Sequence, residues 1–495
     1  MNLPEIGTPA QFAALREFLA DAAYTEVQIC KDLGLASTEK LDLVTLSESA
    51  IERVAAPGVR NTLLRLFLLG ESVSLAEAET QFSGRAWAAM NALGLIEECC
   101  GDKSRCFSSV ALYPVGDLFI VSDRWSNPDH KPKQSFPDVV YPALTKSTKE
   151  FLHFLPTTPC GEYLELCGGS GIAALAASRN AQHAWASDIT ERSTRFADFN
   201  AKLNDLSNVS AVRGDLYAAV QGRTFDRITA HPPYMPVLRP AEIYYDGGED
   251  GEQLTRRILE GLHQHLNPGG RLYCRTLGTD RNEAPFEQRL RSWLGQFESE
   301  FDIAVFISKN VDPARFATDL AVRSATGQSE VIQWGALFER LHVKELLTGM
   351  VVVQRRATKR PVFTIRRSLA PNADSVATER VLRWETEMTN EHSAEKIFAL
   401  TPIASPRTEL LVRHRMEGGE FAAKDFTLRS DYPFLMDCQI QPWMGYLLAQ
   451  CDGSRSVQQL YGECREAGWI QADTPATEFA EIISLLVSGG FLQAE

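Results

Sequence analysis

Apolar positions change their spacing along the chain, and each change predicts a different kind of structure. From residue 10 to about 120 they follow helical intervals. Asn61–Leu69 is too densely apolar for an exposed helix, a polar start at Ser74 precedes a second helix, and Ala86–Leu93 forms a third that meets Gly94, a helix-ending residue. Two short runs, Cys106–Leu112 and Leu118–Ser122, then predict a hairpin. From about Tyr141 to Gln354 the runs Tyr163–Leu166, Ala184–Ala186, Val209–Val212, Arg227–Ala230, Arg271–Thr276, Ile303–Ile307 and Met350–Val353 are separated by helix-length segments. That alternation predicts a doubly wound α/β fold, a mostly parallel sheet with helices on both faces. Leu254, Ile258, Leu262 and Leu266 mark the buried side of a helix over Glu252–Leu266.

The remainder predicts a third, α+β domain: a strand-rich section (Pro361–Phe434), the segment Leu447–Gly453, and two helices around Val457–Ala467 and Ala476–Val487. Gly489-Gly490-Phe491-Leu492 then turns the last helix into a short strand. Domain boundaries follow at 1–125, 126–357 and 358–495. Between Asp123 and Val140 the periodicity fails around Trp125, Pro128, His130, Pro132 and Pro137, which predicts an ordered connector or flap. The basic stretch Arg355, Arg356, Lys359, Arg360, Arg366 and Arg367 predicts a solvated connector, with a dock for an acidic partner as the alternative. Helix, helix, glycine, hairpin at the N-terminus resembles a winged helix, and the C-terminal helix–glycine–strand ending echoes it.

Length and composition sharpen this. At roughly 100–200 residues per domain, 495 residues allow several domains. Hydrophobic residues at 44% and charged residues at 23% exclude a disordered or low-complexity chain. A net charge of −14 disfavours wrapping nucleic acid and favours packing or substrate gating for the N-terminal segment. The ten cysteines contain no Cys-x-x-Cys pair, so free thiols in a reducing cytoplasm are expected and no metal site. Neither a leader peptide nor a run long enough to span a membrane is expected.

The chemistry concentrates at strand ends. In Tyr163-Leu-Glu-Leu-Cys-Gly-Gly-Ser-Gly-Ile a strand runs into a glycine-rich turn and then a helix. Gly169 and Gly171 permit close approach of a ligand to the backbone, and Glu165 just before the turn can accept from a ligand amine. Asp188 ends the next strand, where an acid reaches ribose hydroxyls, and Asp215 follows the third, placed to accept from an adenine amino group. His231-Pro232-Pro233-Tyr234 ends the fourth. There a stiff proline pair leaves a carbonyl free to accept from substrate, and the tyrosine can stack on a planar group. Tyr141, Tyr244 and Tyr245 are candidate lid groups; His263 and His265 fall on a helix and are structural.

Together these motifs resemble the ordered set of class I S-adenosylmethionine methyltransferases. Within that class they are similar to the Asn-Pro-Pro-Tyr branch of glutamine N5-methyltransferases, which Asp246-Gly-Gly-Glu-Asp-Gly251 and Thr255-Arg-Arg-Ile258 also resemble. The resemblance covers about residues 141–300. It implies a Rossmann-like sheet and S-adenosyl-L-methionine as cofactor, with Glu165, Gly169 and Gly171 at its methionine end, Asp188 on the ribose and Asp215 on the adenine. His231, Pro232 and Tyr234 would present a methyl acceptor. The family has Asn where this chain has His231, and imidazole can orient an acceptor or take its proton.

The expected activity is methyl transfer to an amine, amide or related nucleophile of a peptide or small molecule, with a homodimer left open. A C-terminal resemblance to winged-helix peptide-binding modules (Leu447–Val457, Leu460, Gly490-Phe491-Leu492) would suit a peptide. Two other readings stand beside it: a winged-helix regulator or scaffold whose central fold only senses ligand, and an NAD-linked oxidoreductase, which the glycine spacing disfavours.

Overall fold

Every one of the seven apolar runs of the central region lies within a strand in the computed structural model, which describes residues 3–37, 48–124, 137–324, 327–390, 393–471 and 473–494. The chain divides into two units, Met1–Gly278 and Thr279–Glu495.

In the first unit, five strands form a parallel array: β1 (Cys160–Leu166), β2 (Ala181–Asp188), β3 (Val209–Arg213), β4 (Phe225–Ala230) and β5, which begins at Leu266. Their order is β3-β2-β1-β4-β5, so the sequence order reverses between β1 and β4. Ligands of open α/β sheets bind outside the strand ends at such a reversal. The helices around them are α1 (Lys146–His153), α2 (Ile172–Ala177), α3 (Glu191–Leu203) and α4 (Gln253–His265). The stripe on α4 buries Ile258 and Leu262, as the four-residue spacing requires.

Residues before the sheet are built into the same unit. Helices Val59–Leu63, Leu75–Gln81 and Gly84–Ala92 precede a small sheet ordered Val73–Ser74, Asp102–Phe107, Glu97–Cys99. A separate hairpin pairs Val110–Val115 with Leu118–Asp123. One hydrophobic core joins this segment to α3, with Phe12 set edge-on to Phe199 at 5.1 Å. Asn200 and Asn204, one turn apart on α3, extend the hairpin's edge: Val121 N–H donates to Asn200 Oδ1 (2.8 Å), Phe119 N–H to Asn204 Oδ1 (2.8 Å), and both amide groups donate back. Asp123 is fully buried, paired with Arg192 (Nε to Oδ2 2.8 Å) and accepting from Val140 N–H at 2.7 Å.

The second unit contains β6 (Phe301–Val311), β7 (Val343–Arg355) and β8 (Thr364–Ser368), with β7 antiparallel and β8 parallel to β6. Beyond them lie a long hairpin, β9 (Thr408–Glu417) and β10 (Glu420–Ser430), a third strand β11 (Met436–Ile440), and helices Pro442–Gln450, Val457–Glu466 and Ala476–Ser488.

Three local expectations change. Cys106–Leu112 is not one strand: Cys106 pairs with Val73 in the small sheet, whereas Leu112 pairs with Val121 in the hairpin. Ser108 makes the break, its hydroxyl bonding both Val110 N–H and Val110 C=O. The section Pro361–Phe434 holds helices Ser375–Met388 and Ser393–Ala399 before its hairpin, the first capped by Asp374 accepting from Ala377 N–H at 2.9 Å. The basic stretch is not simply solvated. Arg360 is buried against Asp302, Arg355 pairs with Glu300, and Arg366 with Asp280 and Glu287. Of the connector expected between Asp123 and Val140, residues 125–136 lie outside the described residues.

All ten cysteines are unpaired thiols. Among the described residues no helix is long and apolar enough to cross a membrane, and no cluster of three metal-ligating side chains occurs.

Removing one partner of the buried Asp123–Arg192 pair strands the other charge. Asp123→Ala should therefore lower unfolding stability by about 3–5 kcal/mol in chemical denaturation. The double variant Asp123→Leu/Arg192→Leu should lose clearly less; an equal or larger loss would mean that the pair itself is not what Asp123→Ala breaks.

Candidate functional site

Parallel pairing sets Leu166, the last residue of β1, beside Ala230, the last of β4. The two chain segments that follow, the glycine-rich turn and His231-Pro232-Pro233-Tyr234, must therefore leave the sheet side by side. They line one cavity of about 540 Å³, together with Asp188, Asp215 and the tyrosines 141, 244 and 245.

The turn is tightly specified. Cys167, Gly169 and Gly171 take positive φ (55°, 53° and 78°). Only glycine does so freely, so Cys167 holds a conformation that costs about 1–2 kcal/mol for an L-residue. A second non-glycine with positive φ, Leu216 (50°), lines the same cavity. Gly169 N–H donates to Asp188 Oδ2 at 3.0 Å, while Asp188 Oδ1 accepts from Thr190 N–H at 3.0 Å. This carboxylate thus ties the turn to the end of β2 and presents itself to the cavity. Gly171 stands apart from the lining residues. A Cβ there would lie 2.9 Å from Ala197 Cβ, so its lack of a side chain lets α2 approach α3.

Glu165 is 3% exposed, and its carboxylate accepts from Ala173 and Ala174 N–H at 3.1 and 2.9 Å, at the start of α2. Burial nevertheless pushes it up, to about 8; the two amides pull down and Asp188 adds to the rise. A positive charge entering the cavity favours its ionised form. Asp215 pairs with Arg257 on α4 at 2.7 Å. The Thr255-Arg-Arg-Ile motif thus supplies this cation to the rim.

At the other end, His231 lies between Phe151 of α1 (ring centroids 5.2 Å) and Tyr234 (5.7 Å, planes 15° apart). Arg275 on β5, paired with Glu150 at 2.5 Å, is close enough to act on it electrostatically. Burial and this guanidinium push the imidazole down, to about 3. The ring is neutral at physiological pH, with one nitrogen accepting. Tyr234 is itself clamped. Met235 N–H donates to Tyr245 C=O (3.2 Å), Gly247 N–H to Met235 C=O (2.9 Å), and Val237 N–H to Gly248 C=O (3.0 Å). Gly251, at φ +77°, passes so close that a Cβ would sit 2.5 Å from the Tyr234 carbonyl oxygen. The Asp-Gly-Gly-Glu-Asp-Gly sequence is thus a backbone brace. Tyr244 stacks on Tyr141 at 5.5 Å.

The structure therefore brings Glu165, Gly169, Asp188, Asp215, His231, Pro232 and Tyr234 to one cavity wall, with Gly171 supporting it from behind. The candidate lid tyrosines line the same space. Sequence reasoning missed Phe151, Ile189, Leu216 and the Glu150–Arg275 pair. Of these only Ile189 and Leu216 carried a signal, each directly following a candidate acid.

Residues 140–300 match the family model described as the methyltransferase small domain. The chain is 32% identical over 154 residues to a release factor glutamine methyltransferase of Thermodesulfovibrio yellowstonii, covering 28% of this chain and 55% of that one. It is 31% identical over 163 residues to a ribosomal protein uL3 glutamine methyltransferase of Bradyrhizobium diazoefficiens, covering 30% and 51%. It spans about half the length of these curated relatives. A methyltransferase of known structure from Pyrococcus furiosus is 20% identical, with a TM-score of 0.28 over 43% of this chain and 84% of that chain.

Because Glu165 holds its proton to about 8 when folded but only to its ordinary value near 4.5 when unfolded, the folded state binds more protons between the two. Stability is then fullest below the lower value and declines as pH rises toward about 8. Glu165→Gln should flatten that decline, measured as denaturation midpoint against pH. An unchanged slope would assign it to other groups.

Proposed function

We propose that this protein is an S-adenosyl-L-methionine-dependent methyltransferase acting on an amine, amide or related nucleophile. One observation carries the reading: the register of β1 against β4 joins an acid-lined glycine turn to a Pro-Pro-Tyr segment in one cavity. The residues present suit the cofactor. Glu165 and Gly169 would hold its methionine end, where a buried carboxylate meets a cation and no Cβ obstructs the turn. Asp188 would take the ribose hydroxyls. Asp215, braced by Arg257, would reach the base, with Ile189 and Leu216 as apolar surface. Bound there, the cofactor supplies a methyl group already activated by its sulfonium.

The chain's own residues then have to align an acceptor and exclude water, which is where most of the acceleration of such a transfer arises. The Pro232 carbonyl and the accepting nitrogen of neutral His231 would receive hydrogen bonds from the acceptor's N–H or O–H. Tyr234, Tyr244 and Tyr141 would close over it. Since burial and Arg275 disfavour imidazolium, we assign His231 the role of orienting acceptor and not of base. Relatives named for release factor and for ribosomal protein uL3 support a peptide or protein acceptor and a cytoplasmic setting. A net charge of −14 supports an acceptor other than nucleic acid.

We further propose the division 1–125, 126–357 and 358–495, with winged-helix-like segments at both ends. At the N-terminus the helices Leu75–Gln81 and Gly84–Ala92 followed by the Asp102–Phe107 sheet support this, as does the antiparallel pairing of Ile403 with Gln493 near the C-terminus. The core shared by residues 12–121 and α3 suits a packing or gating role for the first segment.

Asp188→Ala should weaken cofactor binding in calorimetry by about tenfold or more, the worth of a charged hydrogen bond; unchanged affinity would remove the pocket assignment. His231→Ala should cut kcat with little change in cofactor affinity, and His231→Asn, which keeps an acceptor, should restore much of it. In the wild type kcat should show no acid limb at imidazole's ordinary value of about 6.5; such a limb, absent from His231→Asn, would make His231 a base.

A further inference from the structure

Strand β9 is an edge strand, bonded on one side to β10 and on the other to no strand among the described residues. Natural edges are guarded by shortness, bulges or proline, or by charge as Glu409, Arg413, Arg415 and Glu417 supply here, because an open edge templates pairing with another chain; the first three are the ones that prevent strand pairing by geometry. This one has none of those three. Its ten residues, Thr408–Glu417, contain no proline, and nine of them are exposed. The single irregularity of the hairpin falls where Arg413 pairs with Asp425 and His414 with Ala423, which puts the extra residue, Lys424, on the inner strand. The outer edge is left regular. Apolar groups stand open along it and at the tip, with Met416 57% and Phe421 71% exposed. Glu409 stands across from Arg429 of β10 and acts on it without forming a direct ion pair, and Arg415 stands across from Ala422.

We propose that β9 pairs antiparallel with β9 of a second copy of this chain, about a two-fold axis at Val412. The charge pattern selects this occupant and this register. With Val412 opposite itself, Glu409 of each copy faces Arg415 of the other, Arg407 faces Glu417, and no like charges meet. Shifting the axis to Arg413 sets Arg413 against itself and Glu409 against Glu417. Shifting it to Leu411 sets Glu409 against Arg413 but Arg407 against Arg415, so the favourable and unfavourable pairs cancel. Registers centred between residues place no Glu opposite an Arg. A strand that pairs opposite charges and avoids like ones in a single register suits an isologous interface, in which each residue meets its partner twice. Opposite charges directly across a strand pair stabilise it, and like charges oppose it. The proposal is independent of the methyltransferase reading.

Sedimentation velocity of the full chain reads the outcome. The wild type should sediment at twice the chain mass. Glu409→Arg and Arg415→Glu should each halve that mass, because each opposes like charges at both symmetry-related positions. Glu409→Arg/Arg415→Glu should restore it. Mixing the two single variants should also give a dimer with one chain of each, because their altered strands are complementary to one another. A wild type that stays at chain mass overturns the proposal. So does a dimer that both single variants leave intact, or a double variant that remains at chain mass.

Discussion

The side-by-side ending of β1 and β4 is the constraint from which the site follows. A parallel pair cannot be joined by a tight turn, so each strand must leave the sheet by its own loop. At the point where strand order reverses, those loops splay apart and leave a crevice. Here one loop is shaped by three residues in left-handed backbone and the other by consecutive prolines, so neither collapses into the gap. What lines the crevice is then decided by the last residue of each strand and the first few after it. Chemistry is accordingly confined to short segments, while the α3 face and the N-terminal core supply rigidity.

Much of this was legible before any coordinates. The central strands announce themselves as apolar runs too short for helices, and the acids at their ends fall at intervals that only a parallel sheet makes meaningful. Asp188 and Asp215 were readable for that reason. Phe151 was not: it lies on a short amphipathic helix where an aromatic residue ordinarily means core, and nothing local says that its ring borders a cavity. Arg275 was hidden similarly, a charge inside the apolar run of its strand whose partner, Glu150, is far away in sequence. The two helices inside the strand-rich section before Phe434 were hidden for another reason. Val376, Thr378, Val381 and Thr386 are β-branched and look like strand residues, but Asp374 caps a helix there and tertiary packing outweighs their weak preference. Ser108 likewise gave no warning in an apolar run that its hydroxyl would end one strand and begin another.

His231 shows how a residue's surroundings redefine it. By type it is the side chain most apt to exchange protons near neutrality. Set against Phe151 and Tyr234 and near an arginine, it is pushed down to about 3, so the ring that borders the cavity is neutral and carries one accepting nitrogen. Glu165 is changed in the opposite sense, from an ordinary carboxylate to one that burial makes hold its proton up to about 8.

Asp123 and Val140 form a clasp: Asp123 N–H donates to the Val140 carbonyl at 3.2 Å while the Asp123 carboxylate accepts from Val140 N–H, with Arg192 closing the knot. The two sides of this clasp are separated by sixteen intervening positions, and Tyr141 at the cavity mouth comes directly after it. With the ends fastened to each other the chain closes a loop at this point, and the entropic cost of such a closure grows only slowly with length. Fastening Asp123 to Val140 therefore fixes where Asp138, Val139 and Tyr141 stand in the cavity wall, and Arg192 ties that wall to α3.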